Sequence, residues 1–395
     1  MQYPKRRIAL AVLLVVLAGV LIAGTVLLLH RDHAEKPDDG PEAAETAVPK
    51  EDDPVPDAEG VTDLQFEKQS ASAIRLTWTA RGDAAGYRVL RRTASGSWAQ
   101  LAEVSAGETA YTDALDGTEP QQYLYRVDVL TPDGAAAPGA PIPASNISVC
   151  LDPGHYLNSS VLEGEEMYGY GEGLFTLRLG LELRDVLVRE YGISVVMTRE
   201  TDDITLGGYT NGELDNAHLS LRGEFAEGHD LFVSLHTNAN LDDANGYPTC
   251  NQPLAINKTL VFVNQVALAS DVSMAQANAV GRRLSELNFA LGLSTSAAFT
   301  EGVPGSLIEW SDAFNDSLDT PGTVCYREGD EQKDYYGVLR GAASVGVPGL
   351  IVEHAFHTVA AVRQAAMQGD LARRWAEADA AGLAEGWGFQ KLGAE

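Results

Sequence analysis

Three short apolar runs end in side chains that can bind a metal or move a proton. Val149-Cys150-Leu151-Asp152-Pro153-Gly154-His155 breaks at Pro-Gly and closes on a histidine, and Leu231-Phe232-Val233-Ser234-Leu235-His236 closes on a second. Leu350-Ile351-Val352-Glu353 closes on a glutamate. In open α/β sheets, ligands bind just past the carboxyl ends of buried strands. Between the first two runs, Glu172 opens a helix-like segment. His155, Glu172 and His236 then offer two imidazole nitrogens and a carboxylate, with Glu353 left over. Two His and one Glu, with one position open for water, is a catalytic zinc pattern.

The elements that must position these groups follow from periodicity. Residues 172–191 carry Leu174, Leu177, Leu181 and Val188 on one stripe, stop before Gly192, and lead into Ser194-Val195-Val196-Met197-Thr198. That is a strand-helix-strand unit, which implies an α/β fold with a mainly parallel twisted sheet flanked by helices over residues 146–395. Residues 259–263 read as a further strand. Residues 270–291, with Val280, Leu284, Leu287 and Leu291 at helical spacing, read as a helix, and alanine-rich 359–383 as the closing helix or helices. Residues 299–335 are polar and punctuated by Gly and Pro, so they are expected to form a loop insertion near the site.

Upstream the pattern changes. Residues 61–145 alternate apolar and polar side chains in Ile74-Arg75-Leu76-Thr77-Trp78, Gly86-Tyr87-Arg88-Val89-Leu90 and Tyr123-Leu124-Tyr125-Arg126-Val127, which predicts an all-β sandwich with Trp78, Tyr87 and Tyr125 in its core. Residues 31–60 are rich in Asp, Glu, Pro and Ala and hold almost no large apolar side chain, so a disordered acidic spacer is expected. Residues 8–29 are unbroken apolar sequence preceded by Lys5, Arg6 and Arg7. At about 1.5 Å per residue such a helix spans a hydrocarbon core of roughly 30 Å. A cleaved signal peptide competes, but no small-x-small cleavage site follows. The expectation is a single transmembrane helix over residues 1–30, a lipid-bilayer partner, and everything after His30 outside the cytoplasm. With 395 residues the chain is long enough for two or three domains, and its formal charge of -28 argues against nucleic acid.

The order of motifs carries a resemblance. Asp152-Pro153-Gly154-His155, Glu172, Thr198-Arg199-Glu200-Thr201-Asp202, Ser234-Leu235-His236-Thr237-Asn238, Leu339-Arg340, and Glu353 before Phe356 resemble the zinc-dependent N-acetylmuramoyl-L-alanine amidases over residues 146–390. Trp78, Tyr87, Tyr111-Thr112-Asp113 and Tyr125-Arg126-Val127 resemble a fibronectin type III module. The first resemblance implies Zn2+ held by His155, Glu172 and His236, with Glu353 as general base and acid. Arg340 is a catalytic, site-lining candidate by its place in the Leu-Arg pair. The implied partner is peptidoglycan, cut at the amide between N-acetylmuramic acid and L-alanine; an activator protein is left open. Two other readings stand beside it: a zinc peptidase acting on another amide, and a catalytically silent wall-binding scaffold.

The remaining candidates are weighed against the same pattern. His218 and His229 lie in polar sequence and are expected at the surface. His354 should face away from Glu353 by strand alternation, whereas His357 can reach the cleft. Glu163, Glu165 and Glu166 are alternative carboxylates to Glu172. Cys150 reads as a packed thiol, and a Cys250–Cys325 disulfide is an open pairing. Four positions depart from the family pattern: Thr176, Ala226-Glu227 after Arg222, Ala355 before Phe356, and Val359.

Overall fold

A computed structural model describes residues 59–157, 167–240, 251–304, 308–309, 320–330 and 333–392. The described chain opens with eight strands. These are β1 (Gln65–Ser70), β2 (Ala73–Thr77), β3 (Gly86–Arg92), β4 (Ala99–Ser105), β5 (Ala110–Ala114), β6 (Gln122–Leu130), β7 (Ala136–Ala137) and β8 (Ile142–Ser145). Strands β1-β2-β5 form one antiparallel sheet and β4-β3-β6-β7, with β8 also on β6, the other. Between them Ile74, Leu76, Trp78, Tyr87, Tyr125 and Val127 are buried, and the Trp78 and Tyr87 rings meet edge to face at 5.4 Å.

The second part alternates strand and helix. Strand β9 (Ser148–Pro153) is followed by α1 (Glu172–Val186), a π-helical turn (Leu187–Tyr191), β10 (Ser194–Met197), the hairpin β11 (Thr205–Leu206) and β12 (Tyr209–Thr210), α2 (Ser220–Glu224) and β13 (Leu231–Asn238). Then come β14 (Leu260–Val263), α3 (Gln265–Leu268), α4 (Asp271–Ala290), β15 (Phe299–Thr300), β16 (Ile308–Glu309) and β17 (Gly322–Tyr326). The chain closes with α5 (Gly337–Ser344), β18 (Gly349–Phe356), α6 (Ala360–Gln368) and α7 (Leu371–Gly386). Helix α4 starts where the Ser270 hydroxyl accepts from the Ser273 amide, a side-chain cap for one of the first-turn donors. Helix α7 packs against both α1 and α4 over the sheet core.

The sheet runs β10-β9-β13-β18-β14-β17-β15, with β16 also on β17. It corrects the expected mainly parallel sheet. Strands β10, β9, β13 and β18 are mutually parallel, but β14 pairs antiparallel to β18, and β17, β15 and β16 follow β14's direction. The sheet is therefore mixed. Apolar patterning marks a buried strand but not its direction, and β14 runs back against β18.

Three further expectations change. Residues 299–335 contain strands β15, β16 and β17, and Cys325 is a buried free thiol inside β17 rather than a loop cysteine; Cys250 lies outside the described residues. The expected transmembrane stretch, residues 8–29, and nearly all of the acidic spacer also lie outside them. Among the described residues no helix is long and apolar enough to cross a membrane, so the expected single transmembrane helix, bilayer partner and single-pass membrane placement find no support there.

Candidate metal centre

The turn after β9 is held by side chains that the chain supplies from far away. Arg199 donates from Nε to Pro153 O at 3.0 Å and from Nη2 to Gly154 O and Gly173 O at 3.1 and 2.5 Å. The Thr176 hydroxyl, one of the departures from the family pattern, donates to Gly154 O at 2.7 Å. Gly154 itself must be glycine, because a Cβ there would stand 2.3 Å from His236 Cε1. His155 follows in the left-handed region at φ 61°, and the turn delivers its ring over the sheet edge.

Glu172 reaches the same point from the first turn of α1. Its Oε2 lies 3.3 Å from His155 Nε2, and its Oε1 lies 3.2 Å from His236 Nδ1 while accepting the Thr237 amide at 3.0 Å. One donor atom from each of His155, Glu172 and His236 falls within 4.8 Å of the other two. Glu172 is 4% exposed, and the histidine side chains are 26% and 17% exposed, so the cluster is buried from below and open above. Two imidazole nitrogens and a carboxylate oxygen converging with one side open suit a tetrahedral metal with its fourth position free. The donor set fits zinc.

The charges in the cluster lean on each other. Burial resists charge on Glu172, but the neighbouring His155 and His236 hold its carboxyl well below the usual range. Burial also resists protonation of His155, and the Glu172 and Asp215 carboxylates outweigh it, raising its pKa to about 10. Without an ion, a proton on His155 balances Glu172; with one, that proton must leave.

Glu353 stands beside this cluster. It is the register partner of His236 across β13 and β18, so both side chains leave the same face at the same level. Its Oε2 is buried and has no hydrogen-bond partner among the described residues. Burial first, and repulsion from Glu172, push its pKa up to about 7.

Other candidates are placed elsewhere. Arg340 is exposed on α5 and donates to the carbonyls of Asp334 and Tyr335; none of its hydrogen bonds among the described residues goes to the cluster. His354 is buried on the opposite face, with Nε2 2.8 Å from Asp379 Oδ2 and its ring stacked on Trp375. His357 is buried behind Glu172, stacked on Tyr170 and bonded to the Thr237 hydroxyl at 2.9 Å. His218 and His229 are half-buried rather than at the surface: the first stacks on Tyr209 and the second lies 3.1 Å from Ser148 Oγ. Glu163, Glu165 and Glu166 lie outside the described residues. Sequence reading missed Asp215, whose carboxylate meets His155 Nδ1 at 3.1 Å, and Tyr170, whose hydroxyl meets that of Thr237. Neither carries a local signal, since each partner is about 60 or more positions away.

An α/β domain with three converging metal donors and a buried carboxylate beside them holds the groups that a metal-assisted hydrolase uses. Residues 149–301 match the family model described as N-acetylmuramoyl-L-alanine amidase. The domain is a peptidoglycan amidase. Among solved structures, the chain is similar to the catalytic domain of CwlV from Bacillus (Paenibacillus) polymyxa var. colistinus, at 20% identity over 60% of this chain and 97% of that one, TM-score 0.38. It is similar to AmiC2 of Nostoc punctiforme at 21% identity over 61% and 97%, TM-score 0.38. An Fn3-like protein from Clostridium thermocellum aligns with 22% of this chain and 91% of its own, at 25% identity and TM-score 0.20. At TM-scores this low none of the three bears on function. Among curated proteins none matches the chain.

Proposed function

We propose that this amidase is zinc-dependent and cuts the amide between N-acetylmuramic acid and L-alanine with His155, Glu172 and His236 as ligands and Glu353 as general base and acid. The observation that carries the reading is the convergence of three donor atoms within 4.8 Å beside the register-matched Glu353. Bound there, zinc supplies Lewis acidity toward the scissile carbonyl and lowers the pKa of water to about 7.

The rest of the chemistry belongs to the side chains. Two neutral imidazoles and one carboxylate leave a bound divalent cation a net positive charge, and the Thr237 amide on Glu172 Oε1 keeps that carboxylate from swinging away. Glu353 Oε2, buried and without a competing donor, takes the proton of the attacking water and passes it to the leaving nitrogen of L-alanine. A pKa near 7 suits a group that must first accept and then release a proton. Arg340 is proposed to line the substrate path from α5.

The test uses the full chain on purified peptidoglycan, with zinc and after chelation. The expected result is new amino-terminal L-alanine, no new reducing sugar ends, and loss of release after chelation with recovery on adding zinc. Release that persists without metal, or cleavage within the stem peptide, would sink the reading.

A further inference from the structure

The insertion between the Arg199 turn and α2 delivers a carboxylate that neither the three ligands nor Glu353 accounts for. Hairpin β11–β12 leads into a 3-10 turn closed by a capping box between Thr210 and Glu213, and the Asp215 amide donates to Asn211 O at 3.1 Å. The Asp215 side chain is 8% exposed. Its Oδ1 accepts from Arg222 Nη1 at 2.7 Å, and its Oδ2 lies 3.1 Å from His155 Nδ1. Arg222 is itself clamped on Asp152 Oδ1, from Nε at 3.0 Å and from Nη2 at 2.9 Å, with both side chains at 1% exposure or less. Asp215 is therefore fixed from behind before it meets the histidine.

His155 needs such a partner more than His236 does. His236 sits on a strand, with Ser234 Oγ 3.1 Å from its Nε2, and Asp152 Oδ2 accepts from that serine at 2.7 Å. His155 sits one residue past Gly154 on a left-handed turn, so no regular backbone orients its ring. A neutral imidazole carries one N–H and one lone pair, and the group bonded to the N–H decides which nitrogen faces a metal. We propose that Asp215 is a positioning residue of the metal site, accepting the Nδ1–H of His155 so that the Nε2 lone pair faces the ion beside Glu172. The inference rests on the zinc reading above. Asp152 then supports both histidines, through Arg222 and Asp215 on one side and through Ser234 on the other.

The test compares the full chain with its Asp215→Asn variant, measuring zinc affinity by competition with a chromophoric chelator and folding by thermal unfolding without metal. A lost outer carboxylate on a ligating histidine should weaken zinc binding by about 10–100-fold. Thr210→Ala, which disturbs the capping box of the same insertion and leaves the carboxylate alone, should keep the parent affinity. A folded Asp215→Asn variant that binds zinc as tightly as the parent overturns the proposal. Should that variant not fold, the parent answers directly: with 15N-labelled histidine and 113Cd, the metal should couple to His155 Nε2 while Nδ1 keeps its proton, and coupling to Nδ1 overturns the assignment. A parent chain that takes up neither zinc nor cadmium would overturn the zinc reading itself and this inference with it.

Discussion

His236 and Glu353 are register partners on adjacent parallel strands, so an imidazole and a carboxylate separated by more than a hundred residues leave the sheet at one level and on one face. On the far side of β18, the antiparallel β14 sets Leu260 opposite Glu353, so the carboxylate has an apolar neighbour there. That asymmetry accounts for a carboxyl whose pKa is lifted by burial while Glu172, nearby, is held low by histidines.

Glu353→Gln keeps the volume of the side chain and removes its basic oxygen. Turnover on purified peptidoglycan should fall by about 10²–10⁴-fold, the usual contribution of a positioned general base. Zinc content, measured on the same preparation by atomic absorption, should stay at one ion per chain. A variant that lost its metal along with activity would place Glu353 among the ligands instead.

Zinc affinity should depend on pH in a defined direction. His155 in the metal-free protein has its pKa raised to about 10 by Glu172 and Asp215 against the opposing effect of burial, so it is protonated at neutral pH. The incoming ion must displace that proton, and competition is strongest in acid. Between pH 6 and 8 the zinc Kd should tighten by about tenfold per pH unit as binding releases one proton. Chelator competition across that range checks it, and a flat profile would contradict the charge balance described above.

Gly154→Ala should damage the site more than the fold. The added Cβ would stand 2.3 Å from Cε1 and 2.6 Å from Nε2 of His236, a ring already held between Glu172 and Ser234. Overpacking of this kind destabilises by about 1–3 kcal/mol. Zinc titration of the still folded variant should show at least roughly tenfold weaker binding, as expected when a ligand loses its orientation.

The buried pair Asp152–Arg222 should carry a visible share of stability. Asp152→Ala leaves the Arg222 guanidinium buried without its partner, a change worth about 3–5 kcal/mol of unfolding free energy in denaturant titrations. The pair also sets an acid limb. Burial opposes charge on Asp152, but Arg222 and the hydroxyls of Thr198 and Ser234 hold its pKa below the ordinary value. A depressed carboxyl contributes stability above the unfolded pKa of about 3.9 and loses it as pH falls through the folded value. The parent's Tm should therefore drop on acidification below about pH 4, and Asp152→Asn should show a lower Tm at neutral pH and a shallower acid limb.

The residues themselves made much of the centre legible. Strand runs ending in His155, His236 and Glu353, and a helix opening at Glu172, are local patterns of period and punctuation that survive into β9, β13, β18 and α1. The burial of Trp78, Tyr87 and Tyr125 followed from strict alternation in the same way. Such patterns say which face of an element is apolar and where it stops, because both depend on neighbours within a turn or a pleat.

Direction and distant pairing were decided by the tertiary structure. Nothing within the run at β14 specifies that it opposes β18, since a buried strand reads the same in either direction; only its place beside β18 shows it. Strands β15 and β17 lie in polar, Gly- and Pro-punctuated sequence that reads as a loop, and only their pairing with each other and with β14 makes them part of the sheet. Asp215 shows the limit best. Its charge and position are plain in the chain, but its meaning comes from His155, sixty residues earlier, and from Arg222 and Asp152, which lock it in place once the turns have closed. Residue type and spacing determined which groups were available for chemistry; folding decided which of them share an atom's reach, because that depends on loop closures over which local periodicity has no say.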